Sequence, residues 1–176
     1  MKLGLVLFNL VFIMLLSCSG DQQTTSDTET SEKDDTAFKI TAEIIEKFEY
    51  ADYALSTDGE NAVKEWEKYQ ELAIQVGYLK KGDLSFFNGD NKLLKKFIET
   101  FKIELPDALR TNPIESRVII VETTLLRLNE NLTLDNIDKR LKLESVKEVV
   151  VAFSNLNFLI NKKLIRDKGE KIQSQY

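Results

Sequence analysis

From Ile44 to Ile160 the apolar residues of this chain recur every three or four positions. Ile114, Val118, Val121, Leu125 and Leu128 give the cleanest case, alternating steps of four and three. A helix turns once in about 3.6 residues, so this spacing lines the side chains along one face, whereas a strand would send them to both. Stripes of this kind have to be buried against one another. The pattern therefore predicts an all-α protein, an up-and-down bundle of five or six helices. Even the β-branched run Val149-Val150-Val151 lies within the longer helical period, and its length favours helix over strand.

Element boundaries follow from caps and breakers. Ile44, Phe48, Ala51 and Leu55 predict a first helix stopped by Ser56-Thr57-Asp58-Gly59, and Val63, Trp66, Tyr69, Ala73 and Val76 a second that closes at Lys80-Lys81-Gly82-Asp83. The third is built on Leu94, Phe97, Ile98 and Phe101 and ends before Pro106. A fourth starts at Asn112-Pro113, with asparagine as cap and proline in the first helical position. Ile119, Ile120 and Leu126 widen its stripe, which predicts a central place in the bundle. The last helical region starts at Thr133 or Asp135 and is expected to break near Leu143-Glu144-Ser145. Ser145 would cap a segment carrying Val146, Val149, Phe153, Leu156 and Ile160.

The beginning of the chain does not share this period. After Lys2, Leu3 to Leu16 is apolar except for Gly4 and Asn9, a run too short to span a bilayer and suited to the apolar part of a secretory signal. It ends at Cys18, the single cysteine. Ser19 to Asp35 contains no apolar side chain and reads as a disordered polar tether. The chain thus divides into a signal peptide at 1–17, Cys18 and the tether at 18–36, and a helical domain at 37–176.

Leu15-Leu16-Ser17-Cys18 resembles the lipobox of bacterial lipoprotein precursors. The resemblance implies cleavage before Cys18, diacylglycerol on its sulfur and a membrane partner held through that lipid. Each buried methylene adds roughly 0.8 kcal/mol, so two or three acyl chains anchor durably where one does not. Asp35-Thr36-Ala37 is similar to the short acceptor of periplasmic O-glycosylation in Bacteroidota, which implies a glycan on Thr36; the same residues also fit a helix N-cap. Ser19 after Cys18 implies the outer membrane rather than the inner, with the periplasmic face and the cell surface both open. Leader and tether together are similar to Bacteroidota lipoproteins of unknown function. The resemblance does not extend to the helical domain.

Composition limits the chemistry. The chain has no histidine, which removes the commonest general base and transition-metal ligand. Zinc sites of the usual ligands, histidine-ligated haem, Ser-His-Asp hydrolysis and Glu-x-x-His di-iron sites are excluded with it. No Gly-x-Gly-x-x-Gly, P-loop or Gly-x-Ser-x-Gly sequence occurs, so neither an enzyme, a cofactor nor a metal site is expected. The formal charge is -5, and loss of Lys2 with the leader makes it about -6, which argues against nucleic acid as a partner.

Three features remain as candidates. Tyr78, Phe86 and Phe87 lie in the Gly- and Asn-rich connection Gly77 to Asn91, as anchors of a partner-binding loop or as a lid on the core. Arg117, Glu122 and Arg127 lie on the most apolar helix, as structural ion pairs or a polar pocket. Asn155, Asn157 and Asn161 face water or hydrogen-bond across the bundle. The expected function is a membrane-anchored lipoprotein whose helical domain binds another envelope or extracellular protein. The alternative is a carrier or sensor with an apolar ligand cavity between helices.

Overall fold

The computed structural model describes residues 39–175. Cys18 and Thr36, the expected lipidation and glycosylation positions, lie outside the described residues. Among those described there are six α-helices and no strand: α1 (Ala42–Ile45), α2 (Thr57–Ala62), α3 (Glu67–Lys80), α4 (Asn91–Ile103), α5 (Asn112–Thr133) and α6 (Lys139–Gln173). A 3-10 turn at Asp107–Leu109 links α4 to α5. The protein is all-α.

The frame is the α5–α6 hairpin, closed by a five-residue connection at 134–138. Asn131 meets Leu141, Arg127 meets Glu148, and Ile114 shares a surface cleft with Leu159 and Lys163. Positions on α6 rise as those on α5 fall, so the two helices are antiparallel. α4 lies on α5 in the same sense, Asn91 against Asn129 and Lys102 against Glu122. α3 joins the stack through Trp66 at its N-cap, whose ring stacks on Phe101 at 4.7 Å and whose Nε1 donates to the Phe101 carbonyl at 2.7 Å. On its other side Tyr69 stacks on Phe153 of α6.

The predicted stripes form the core. Val63, Trp66, Tyr69 and Val76, then Leu94, Phe97, Ile98 and Phe101, are all buried. So are Ile114, Val118, Val121, Leu125 and Leu128 of α5, and Val146, Val149, Phe153, Leu156 and Ile160 of α6. Lys81, Gly82 and Asp83 close α3 by donating back to Tyr78 and Leu79 carbonyls, with Gly82 in the left-handed region at φ +83°.

Five expectations about boundaries are corrected. The first helix stops after Ile45, and residues 51–56 run as a non-helical strap, because side chains of α6 satisfy the strap's backbone groups in place of helical bonds. Ser56 starts a helix rather than stopping one, its Oγ accepting the Gly59 amide at 3.2 Å. The second predicted helix is two, α2 and α3, broken at 63–66. Val63 and Trp66 both turn inward there, and Gln70 Nε2 donates to the Val63 carbonyl. α5 starts one residue earlier than expected, with Thr111 as N-cap, and it is one-sided rather than central: Ile119 and Ile120 are 55% and 39% exposed. Finally, α6 runs unbroken through Leu143-Glu144-Ser145. Ser145 is buried and donates to the Lys142 carbonyl, and Asp138 is the cap, accepting the Arg140 amide at 2.7 Å.

Candidate functional site

Two places bring polar and apolar groups together at the surface. The first is a cleft of about 390 Å³ between α3, α4 and the turn before α4. Its floor is Phe86, Leu94 and Phe97, with Phe86 set edge-on to both Phe87 and Phe97 at 5.1 Å. Leu93 stands on the rim, 69% exposed although Leu94 beside it is buried. The other rim carries Lys68, whose ammonium lies 5.4 Å from the centre of the Phe97 ring and donates to Glu71 at 2.6 Å. The Glu71 hydrogen bond, against partial desolvation, holds Lys68 above its ordinary range. The cleft thus offers an apolar floor with two lysines, Lys68 and Lys96, and two carboxylates, Glu71 and Asp90, around it, a form suited to an amphipathic side chain.

Asn129 shapes this cleft from behind. It is 1% exposed, and its Nδ2 donates to the carbonyls of Phe87 and Gly89, both at 2.9 Å, while Oδ1 accepts from Asn91. Those bonds hold the turn that carries Phe86. Asp83 stabilises the turn's beginning by accepting the Ser85 hydroxyl and amide, which lower its carboxyl below the usual range.

The second place is the strap on α6. Ser154 Oγ accepts the Tyr53 amide at 2.7 Å and donates to the Ala51 carbonyl at 2.6 Å. Asn157 Nδ2 donates to the Tyr53 carbonyl at 3.0 Å. Asn161 both donates to the Ala54 carbonyl and accepts the Ser56 amide, at 2.8 and 2.9 Å. Ser154, Asn157 and Asn161, spaced three and four apart, form one face of the helix. From beneath, the Tyr69 hydroxyl donates to Asn157 Oδ1 at 2.7 Å. Burial first, and Glu60 second, raise the Tyr69 phenol above the ordinary tyrosine range, so the hydroxyl stays protonated and keeps donating.

The candidates from sequence are distributed as follows. Phe86 lines the cleft, Tyr78 is exposed on α3, and Phe87 is fully enclosed and cannot meet a partner; the three do not make one anchor. Phe87 is fully buried, and Asn129 holds its carbonyl. Glu122 pairs with Lys102 and Arg127 with Glu148, joining α5 to its neighbours; Arg127 and Glu148 also line the outer groove between α5 and α6, while Arg117 is half-buried. Asn157 and Asn161 serve the strap, and Asn155 lies on the outer groove between α5 and α6 with Ile120 and Val151. Sequence reasoning passed over Ser154, Asn129 and Leu93. The three-and-four spacing of Ser154 with Asn157 and Asn161 was the available signal.

Among the described residues no three Cys, Asp or Glu side chains gather as a metal site. Comparison with family models, curated proteins and solved structures finds no match to this chain, so the surface has to be read from its own chemistry.

Proposed function

We propose that this chain is a lipid-anchored protein of the bacterial cell envelope whose helical domain docks another envelope or extracellular protein. The anchor rests on Leu15-Leu16-Ser17-Cys18, with the lipid on Cys18 and the outer membrane as its site. No helix among the described residues is long and apolar enough to cross a membrane. The observation that carries the docking role is the α3–α4 cleft: Leu93 held out, 69% exposed, at the rim of an open surface cleft floored by Phe86, Leu94 and Phe97. A carrier would want its apolar volume enclosed, whereas an open floor with a charged mouth suits a side chain presented by another protein.

A photo-crosslinking amino acid at Leu93, in whole cells, tests this reading. Discrete adducts in the membrane fraction are expected from Leu93 and not from Glu99, which is exposed elsewhere on α4. Equal labelling from both positions, or none from Leu93, refutes docking at the cleft.

A further inference from the structure

The strap is held through its backbone and by Leu55, which packs against the core. Five main-chain groups, the Ala51, Tyr53 and Ala54 carbonyls and the Tyr53 and Ser56 amides, meet three side chains of α6. Its own side chains contribute little burial: Ala51, Asp52, Tyr53 and Ala54 are all exposed. Two of them add specificity. Asp52 receives both of its hydrogen bonds from Lys80, and the Tyr53 ring lies 4.7 Å from Phe158. One member of the face on α6 is oriented independently of the strap: the Tyr69 hydroxyl fixes which way the Asn157 amide points. Beside Asn157 lies an open cleft of about 560 Å³, lined by apolar Leu55, Val63 and Phe153 and by charged Glu60 and Lys64.

We propose that Ser154, Asn157 and Asn161 form a backbone-reading site for an extended polypeptide, occupied in the free protein by residues 51–56 and yielded to a partner segment of the same chemistry. That partner is a stretch with an acidic residue to meet Lys80, an aromatic next to it to lie on Phe158, and an apolar residue two further on for the cleft at Leu55. The strap opens as a loop rather than as a free end, because buried Ile45 precedes it and buried Gly59, against which Asn161 and Leu55 pack, follows it. Main-chain bonds give affinity and the acidic–aromatic pair gives choice, the division found when a peptide adds to a sheet edge. This site is separate from the cleft at Leu93 and does not depend on it.

The test uses the full chain and a fluorescein-labelled peptide of residues 49–57. The tethered strap competes at high effective concentration, so the native chain is expected to bind the peptide weakly. The double substitution Asp52→Ala, Tyr53→Ala removes the strap's contacts with Lys80 and Phe158 without altering α6, and is expected to tighten peptide binding at least tenfold. Methylating the peptide nitrogens of Tyr53 and Ser56 removes both donors and is expected to abolish it. No binding to the double variant, or equal binding of the methylated peptide, overturns the proposal. Hydrogen exchange on the native chain decides independently of that variant. Tyr53 and Ser56 amides exchanging at least a hundredfold faster than those of Leu125 and Leu156 support a releasable strap, and exchange as slow as theirs overturns it.

Discussion

Asn129→Asp is the sharpest test of how the cleft is built, because it keeps the shape of the side chain and changes only its donors. Asn129 is 1% exposed, and its amide nitrogen holds the carbonyls of Phe87 and Gly89. The substitution removes both bonds and sets a carboxylate oxygen against two carbonyl oxygens. Each lost bond costs about 1 kcal/mol, and an acceptor left dry inside costs about as much again, so the total is about 3 kcal/mol. At an m-value of about 2 kcal/mol/M the urea midpoint falls by about 1.5 M. Burial raises the introduced carboxyl above its unfolded value, so the deficit should be largest at neutral pH. It should shrink in acid, where the protonated form donates once again. Circular dichroism in urea at two pH values measures both effects. Asn155→Asp, on the outer groove, is the control and is expected to change stability by less than about 0.5 kcal/mol. If the two variants melt alike, Asn129 does not hold the turn and the floor of the cleft has another cause.

Val121→Asp places a charge on the buried stripe of α5 and should cost about 3–5 kcal/mol by urea denaturation; native-like stability would refute the register of that helix. Tyr69 keeps its proton in the folded state, whereas the unfolded chain releases it near pH 10, so its stabilisation is present below that pH and is lost as pH rises past it. Tyr69→Phe should make the alkaline fall in urea midpoint shallower by up to about 1.4 kcal/mol per pH unit. Gly82→Ala should cost at least about 1 kcal/mol, because φ is +83° and a Cβ would stand 3.1 Å from the backbone of Ile40, Thr41 and Ala42; a thermal melt matching the parent would refute that contact. Cys18→Ala should shift the protein from the membrane to the soluble fraction with its helical circular dichroism intact, and persistence in the membrane would sink the lipid anchor.

The apolar stripes of α3 to α6 were legible in sequence because burial on a helix leaves a period, and each residue of the Val118–Val121–Leu125 and Val149–Phe153–Leu156 series lies where that period puts it. The strap was misread for the same reason. Ile44, Phe48, Ala51 and Leu55 also sit three or four apart, and Phe48 and Leu55 pack inward, but Ser154, Asn157 and Asn161, a hundred residues later, offer the backbone partners that a helix would otherwise supply. Local pattern carries no trace of so distant a competitor. Ser145 misled in the opposite direction: a residue favoured at caps is buried in mid-helix, its hydroxyl returned to Lys142. The cleft was half visible. Phe86 stood out as an aromatic in an irregular turn, yet nothing in the spacing separates it from Phe87, which the packing of the turn encloses.

The packing of Ile40 and Ile45 has a mechanical meaning. Both are nearly inaccessible to solvent, and the backbone between them is pressed against Gly82 at the end of α3. Tension entering the chain at residue 39 therefore meets two apolar plugs before it reaches Ala51. Pulling a plug from its socket takes force until the side chain leaves, and until then everything downstream is slack. The hydrogen bonds of Ser154, Asn157 and Asn161 carry no load while Ile45 stays seated, so drag on the leading end of the chain and occupancy of the α6 face are insulated from each other.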